Sequence, residues 1–217
     1  MAKIVISSSG TLGDHLPYVA LGEYLQAQGH HVCMAINEAM HPYGLKAGLE
    51  VINCGHYLGQ KEAKQAAKDW EHLNLYSQSD QDKSSRTVDF FKQQVPLIFT
   101  SLLSVCRDAD LLICSIQMRL FGAMIEEKIG LSWIVASVTP SFQCIKKTEQ
   151  LINNEPDPLL PTFNQIRKTL GLNELRADCV KDYQQSKRAI LASSPHFSQL
   201  NSTHDYDADK FALSNQR

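Results

Sequence analysis

The tightest constraint on this chain lies at its start. Lys3-Ile4-Val5-Ile6 is a short apolar run that ends in small residues, Ser7-Ser8-Ser9-Gly10-Thr11. Gly13-Asp14-His15-Leu16-Pro17 follows, and then a helical pattern from Tyr18 to Leu25. A strand that feeds a helix through a small-residue loop is the opening of a βαβ unit. In an open α/β sheet such a loop lies in the crevice at the carboxyl ends of the strands, where ligands bind. Asp14 and His15 are therefore the first candidate functional residues.

The pattern repeats. Strand-like runs at 3–8, 31–36, 50–54, 110–115, 132–138 and 188–193 alternate with helical stretches, which predicts a mainly parallel sheet. Helices are expected at 15–28, 38–47, 87–107 and from residue 116 to about 128, with Gly29, Gly48 and Gly130 as stops. Two more are expected at 163–170 and 173–186. Residues 55–86 read as a polar excursion near the crevice, and 153–161 as a proline-rich loop. Residues 1–195 form one α/β domain on this reading. Residues 196–217 form a polar tail or the start of an interdomain linker.

Composition narrows the function classes. The chain has 217 residues, 43% hydrophobic and 20% charged, with a formal net charge of -2. Its basic residues are scattered, which argues against nucleic-acid binding. None of the six cysteines forms a C-x-x-C pair, and Cys33 and Cys114 sit inside apolar runs, so all six read as reduced thiols of a cytoplasmic protein. No signal peptide is expected. The apolar stretch from Val95 to Cys106 is too short to span a bilayer, so membrane contact is at most peripheral.

Several motifs resemble those of GT-B glycosyltransferases of families 1 and 28, the sterol, antibiotic and lipid glucosyltransferases. That family opens with a strand, then G-x-x-G-D-x-x-P, then a helix with A-L-G. This chain has Gly10-Thr11-Leu12-Gly13-Asp14-His15-Leu16-Pro17, then Ala20-Leu21-Gly22. Gly29-His30-His31-Val32, Ala47-Gly48-Leu49-Glu50-Val51, Ala109-Asp110-Leu111 and Gly130-Leu131-Ser132-Trp133 are similar to the family's leads into later strands. The resemblance implies a Rossmann-like three-layer α/β/α sandwich, one half of a GT-B fold. In such enzymes the N-terminal domain binds the acceptor and the C-terminal domain binds the nucleotide sugar. Nothing after residue 195 resembles a nucleotide-sugar site. The chain is therefore expected to bind no cofactor itself, with a UDP- or dTDP-sugar bound by a donor domain as partner.

The resemblance places Asp14 at the catalytic base. Transfer to a hydroxyl needs a base within roughly 2.6–3.2 Å of the acceptor oxygen. An aspartate is weak at its usual pKa of about 4, and burial would strengthen it. The implied reaction is an inverting single displacement, without a metal, that delivers a hexosyl group to a small-molecule or lipid-like acceptor. Asp14 also stands where a helix N-cap belongs, a role compatible with the first. His15 is the second candidate base or an acceptor contact; a histidine at a helix start is more often a solvated surface group. Gly10, Thr11, Gly13, Ser115, Gln117, Thr139 and Ser141 follow parallel strands on the binding side and are candidate acceptor contacts. For Ser115, Gln117, Thr139 and Ser141, ordinary strand-end polarity is the favoured reading.

Two alternatives stand beside this reading. One is a ligand-binding module, alone or as a subunit of a split glycosyltransferase. The other is a nucleotide-dependent oxidoreductase, although Gly10-Thr11-Leu12-Gly13 is not the dinucleotide fingerprint. Asp108-Ala109-Asp110 has the D-x-D spacing of some metal sites but reads as the loop into the fourth strand.

Overall fold

The computed structural model describes residues 1–54, 81–138, 160–176, 189–191 and 211–213. Strand β1 (Lys3–Ser7) leads through helix α1 (Leu12–Ala27) to β2 (His31–Ile36). A 3-10 turn (Glu38–Met40) and α2 (His41–Lys46) lead to β3 (Glu50–Asn53). Helix α3 (Gln81–Cys106) precedes β4 (Leu111–Cys114), a 3-10 turn (Ile116–Met118), α4 (Arg119–Ile129) and β5 (Trp133–Ser137). Helix α5 (Leu160–Thr169), β6 (Ala189–Leu191) and β7 (Phe211–Leu213) complete the described elements.

The strands lie in the order β3-β2-β1-β4-β5-β6-β7, all paired in parallel. Val5 stands between Cys33 on one side and Leu112 on the other. Strand order reverses between β1 and β4, so the loops leaving these two strands part and open a crevice.

Parallel strands covered on both faces read as unbroken apolar runs, and β1, β2, β4 and β5 do. Side chains alternate between the faces. Val5, Ala35, Leu112, Cys114 and Val135 pack with Val95, Phe99 and Leu102 of α3, and with Phe121 and Met124 of α4. Ile4, Ile6, Met34, Ile36 and Ile113 pack with Tyr18 and Val19 of α1. Burying each large apolar side chain stabilises the fold by about 1.5–3 kcal/mol. The predicted three-layer Rossmann-like sandwich is the observed architecture.

Five local expectations are corrected. Helix α1 starts at Leu12, not at 15, because Thr11 caps it and Pro17 lies within its second turn. Helix α3 starts at 81 rather than 87. Residues 173–176 are not helical. Within the tail expected to be aperiodic, Phe211–Leu213 adds a strand beside β6. Leu160 and Pro161, expected at the end of the proline-rich loop 153–161, already belong to α5, which therefore starts at 160 rather than 163. Residues 153–159, the rest of the helix expected at 173–186 and residues 55–80 lie outside the described residues.

The amino edge of the sheet is closed by paired charges. Lys3 Nζ meets Asp108 Oδ2 at 2.7 Å, and the Lys3 amide donates to Asp110 Oδ2 at 2.7 Å. The D-x-D spacing thus fastens the start of β1 to the loop before β4, far from the crevice. Arg167 of α5 is fully buried; it donates to Glu127 Oε2 at 2.6 Å and to the Asn173 carbonyl at 2.7 Å. Lys128 Nζ donates to the carbonyls of Leu170 and Gly171, where a cation complements the end of α5. Cys33, Cys54, Cys106 and Cys114 are buried free thiols. Burial pushes Cys33 up to about 11, and Cys54 and Cys106 up to about 12. Cys144 and Cys179 lie outside the described residues. Among the described residues no helix is long and apolar enough to cross a membrane.

Candidate functional site

The ladder of β1 ends at Ser7, whose carbonyl accepts the Ser115 amide at 2.8 Å. Beyond it the chain turns through Ser8, Ser9 and Gly10 into α1. Gly10 has φ +127°, a left-handed conformation that favours glycine. A Cβ there would also fall 2.4 Å from Asp14 Oδ2. Thr11 is the N-cap and Asp14 the third residue of the helix. Asp14 Oδ2 accepts the Thr11 amide at 2.7 Å and the Thr11 hydroxyl at 2.8 Å. This capping box corrects the expectation that Asp14 is itself the N-cap. It fixes the carboxylate with one oxygen used. Among the described residues no hydrogen bond reaches Oδ1.

Asp14, Tyr18, Ile116, Gln117, Ser137 and Val138 line a shallow, open hollow of about 20 Å³. Its walls are the start of α1, the turn after β4 and the end of β5, at the point where strand order reverses. Tyr18 is buried, and its hydroxyl donates to the Ala136 carbonyl, tying α1 to β5. Burial raises the Tyr18 phenol well above its ordinary range, so it stays a neutral donor.

The candidate contacts fall in distinct places. Gly10, Thr11 and Gly13 belong to the turn that holds Asp14. Gln117 is exposed and lines the hollow. Ser115 is buried, and among the described residues its Oγ has no hydrogen-bond partner. Thr139 and Ser141 lie outside the described residues.

His15 differs from the solvated surface group expected. It is 0% exposed. Its Nδ1 lies 2.7 Å from Ser8 Oγ, and its Nε2 lies 3.4 Å from Asn37 Nδ2. Because α1 starts three residues earlier than expected, His15 follows the first turn on the side facing the sheet. Burial lowers its pKa, while a backbone bond with Gly10 and the charge of Asp14 oppose the shift. Sequence reasoning missed Ser8, Asn37, Tyr18 and Ser137. The spacing Thr11-x-x-Asp14 would have located the helix start, and with it Tyr18 one turn beyond Asp14.

The turn also bears on dinucleotide chemistry. Rossmann enzymes seat a pyrophosphate on the amides at the start of the first helix. Here Asp14's own carboxylate takes the Thr11 amide and brings negative charge to that place.

No protein-family model matches the sequence. A curated relative, O-mycaminosyltylonolide 6-deoxyallosyltransferase of Streptomyces fradiae, is 44% identical over 48 residues, 22% of this chain and 11% of the relative. Solved structures match over far more of the chain. The calicheamicin glycosyltransferase CalG4 superposes with a TM-score of 0.64 at 14% identity, over 98% of this chain and 52% of its own. Streptomyces sp. SF2575 glycosyltransferase SsfS6, complexed with thymidine diphosphate, gives 0.54 at 17% identity, over 92% and 51%. The spinosyn rhamnosyltransferase SpnG, complexed with spinosyn aglycone, gives 0.51 at 15%, over 94% and 48%. The chain spans about half the length of these glycosyltransferases, and its sheet, layers and crossing point are those of one half of a GT-B fold.

Proposed function

We propose that this chain is the acceptor-binding half of an inverting, nucleotide-sugar-dependent glycosyltransferase, with Asp14 as its base. The observation that carries the reading is the carboxylate itself. One oxygen is tied into the helix cap, no hydrogen bond from the described residues reaches the other, and Asp14 lines the hollow on the carboxyl edge of the sheet. An acceptor hydroxyl in that hollow would give its proton to Asp14 Oδ1 as its oxygen attacks the anomeric carbon. The bond from that carbon to the nucleotide's phosphate breaks, and the nucleoside diphosphate leaves. Asp14 supplies the base and its position, Gln117 a polar contact at the rim, and Tyr18 a fixed wall.

The ligands of similar structures support the substrate class. SsfS6 holds thymidine diphosphate and SpnG an aglycone. We therefore assign a dTDP- or UDP-sugar to a donor half as partner. A small-molecule aglycone is favoured as acceptor, with a lipid-like one as the alternative within the class. Thr139 and Ser141 are assigned to the acceptor side with Gln117.

Two measurements test the reading. Nitrogen-15 NMR with macrolide and polyketide aglycones should move the amides of Thr11, Gln117 and Val138. Joined to a donor half, the chain should transfer sugar from a dTDP- or UDP-sugar, and Asp14→Asn should lower kcat by about 10²–10⁴-fold. Unchanged turnover in Asp14→Asn overturns the base assignment.

A further inference from the structure

We propose that His15 is a positioning residue: a neutral imidazole that braces the β1–α1 turn against the end of β2 and so fixes the direction of the Asp14 carboxylate. The catalytic meaning of the brace rests on Asp14 as base; the brace itself does not.

The argument starts from what the turn lacks. Residues 8–11 are beyond the β1 ladder, which ends at Ser7. The Asp14 carboxylate depends on that turn, because its two donors are both on Thr11 and the Gly10 backbone lies against it. Something must hold the turn itself. Ser8 is buried, and its hydroxyl meets His15 Nδ1 at 2.7 Å. The other ring nitrogen faces the Asn37 amide, just past β2, at 3.4 Å. One ring thus joins three places: the loop after β1, the first turns of α1 and the loop after β2. It is also the residue next to Asp14.

The partners suit a neutral ring. If Asn37 Nδ2 donates, Nε2 must accept, which leaves the proton on Nδ1 to donate to Ser8 Oγ. A second proton would set an N–H against the Asn37 N–H. The groups facing the ring are Ser8, the Gly10 backbone, Asn37 and the charge of Asp14. With no exposure to solvent, His15 is closed to an acceptor, so its part is played through Asp14.

Nitrogen-15 NMR of the intact chain tests the brace without any turnover. The Thr11 amide reports the Asp14 carboxylate, and Asp14→Ala, which has no acceptor, supplies the reference for its loss. His15→Phe fills the space without either nitrogen. The expected result is a Thr11 amide that moves toward the reference and exchanges about tenfold faster, while amides of β1, β2 and β4 keep their protection. His15→Asn, which reaches Ser8 with a polar atom, should restore most of the protection. If His15→Phe fails to fold, Ser8→Ala removes one end of the brace and must give the same loss at Thr11. A Thr11 amide unchanged in shift and exchange overturns the proposal, as does a doubly protonated ring at pH 7. Full transfer by Asp14→Asn would remove the base reading and leave the brace standing.

Discussion

The two edges of the sheet use polar groups differently. At the amino edge Lys3 is matched to Asp108 and Asp110, and Arg167 to Glu127 and the Asn173 carbonyl. These groups answer one another and hold elements together. At the carboxyl edge, among the described residues, no hydrogen bond reaches Asp14 Oδ1, the buried Ser115 hydroxyl has no partner, and Gln117 is exposed. The amino edge is not wholly matched either: among the described residues the buried Nδ1 of His30, just before β2, also has no partner. What differs is the ion pairing, which fastens elements at one edge and is missing among the described residues around Asp14 at the other.

The contrast breaks most easily at its two aspartates. Asp14→Asn should cost about 10²–10⁴-fold in kcat, whereas Asp108→Asn should leave transfer unchanged, because its exposed pair with Lys3 is screened by solvent and lies at the other edge of the sheet. Steady-state rates of both variants, joined to a donor half, decide it. Next in size is Arg167→Ala, which removes the buried guanidinium that meets Glu127 and the Asn173 carbonyl and should lower unfolding free energy by about 3 kcal/mol in urea titrations. Aglycone binding by the folded fraction should not change. Gly10→Ala should cost about 1–3 kcal/mol through its backbone conformation. It should also displace the Thr11 amide signal, because the added carbon meets the Asp14 carboxylate. The smallest effect concerns pH. His15 has a folded pKa below its unfolded value, so the unfolded chain binds the extra proton. Stability should be full above about pH 6.5 and fall as the pH drops below it. Urea midpoints from pH 7.5 to 5 should show that slope, and His15→Asn should flatten it.

Much of the frame was legible. Unbroken apolar runs announce strands covered on both faces, and β1, β2, β4 and β5 lie within two residues of their expected ends. Gly130 closes α4 in a left-handed conformation, as a glycine after a helix should. The β1–α1 turn leaves the carboxyl end of β1 and enters α1, as its small residues announce. What stayed hidden depends on contacts between distant segments. His15 looks like a surface residue until the helix start is known, and the partner that buries it, Asn37, is 22 positions away. Tyr18 reads as one more helix residue, because the carbonyl it reaches lies 118 positions further on. Phe211–Leu213 is too short to show a period, and only β6 beside it makes it a strand.

The capping box at Thr11 and Asp14 makes one side chain answer for two places. The residue that fastens the helix start also stands beside the hollow, so a substitution at position 14 cannot touch one without the other. Any replacement would first have to offer the Thr11 amide a new acceptor.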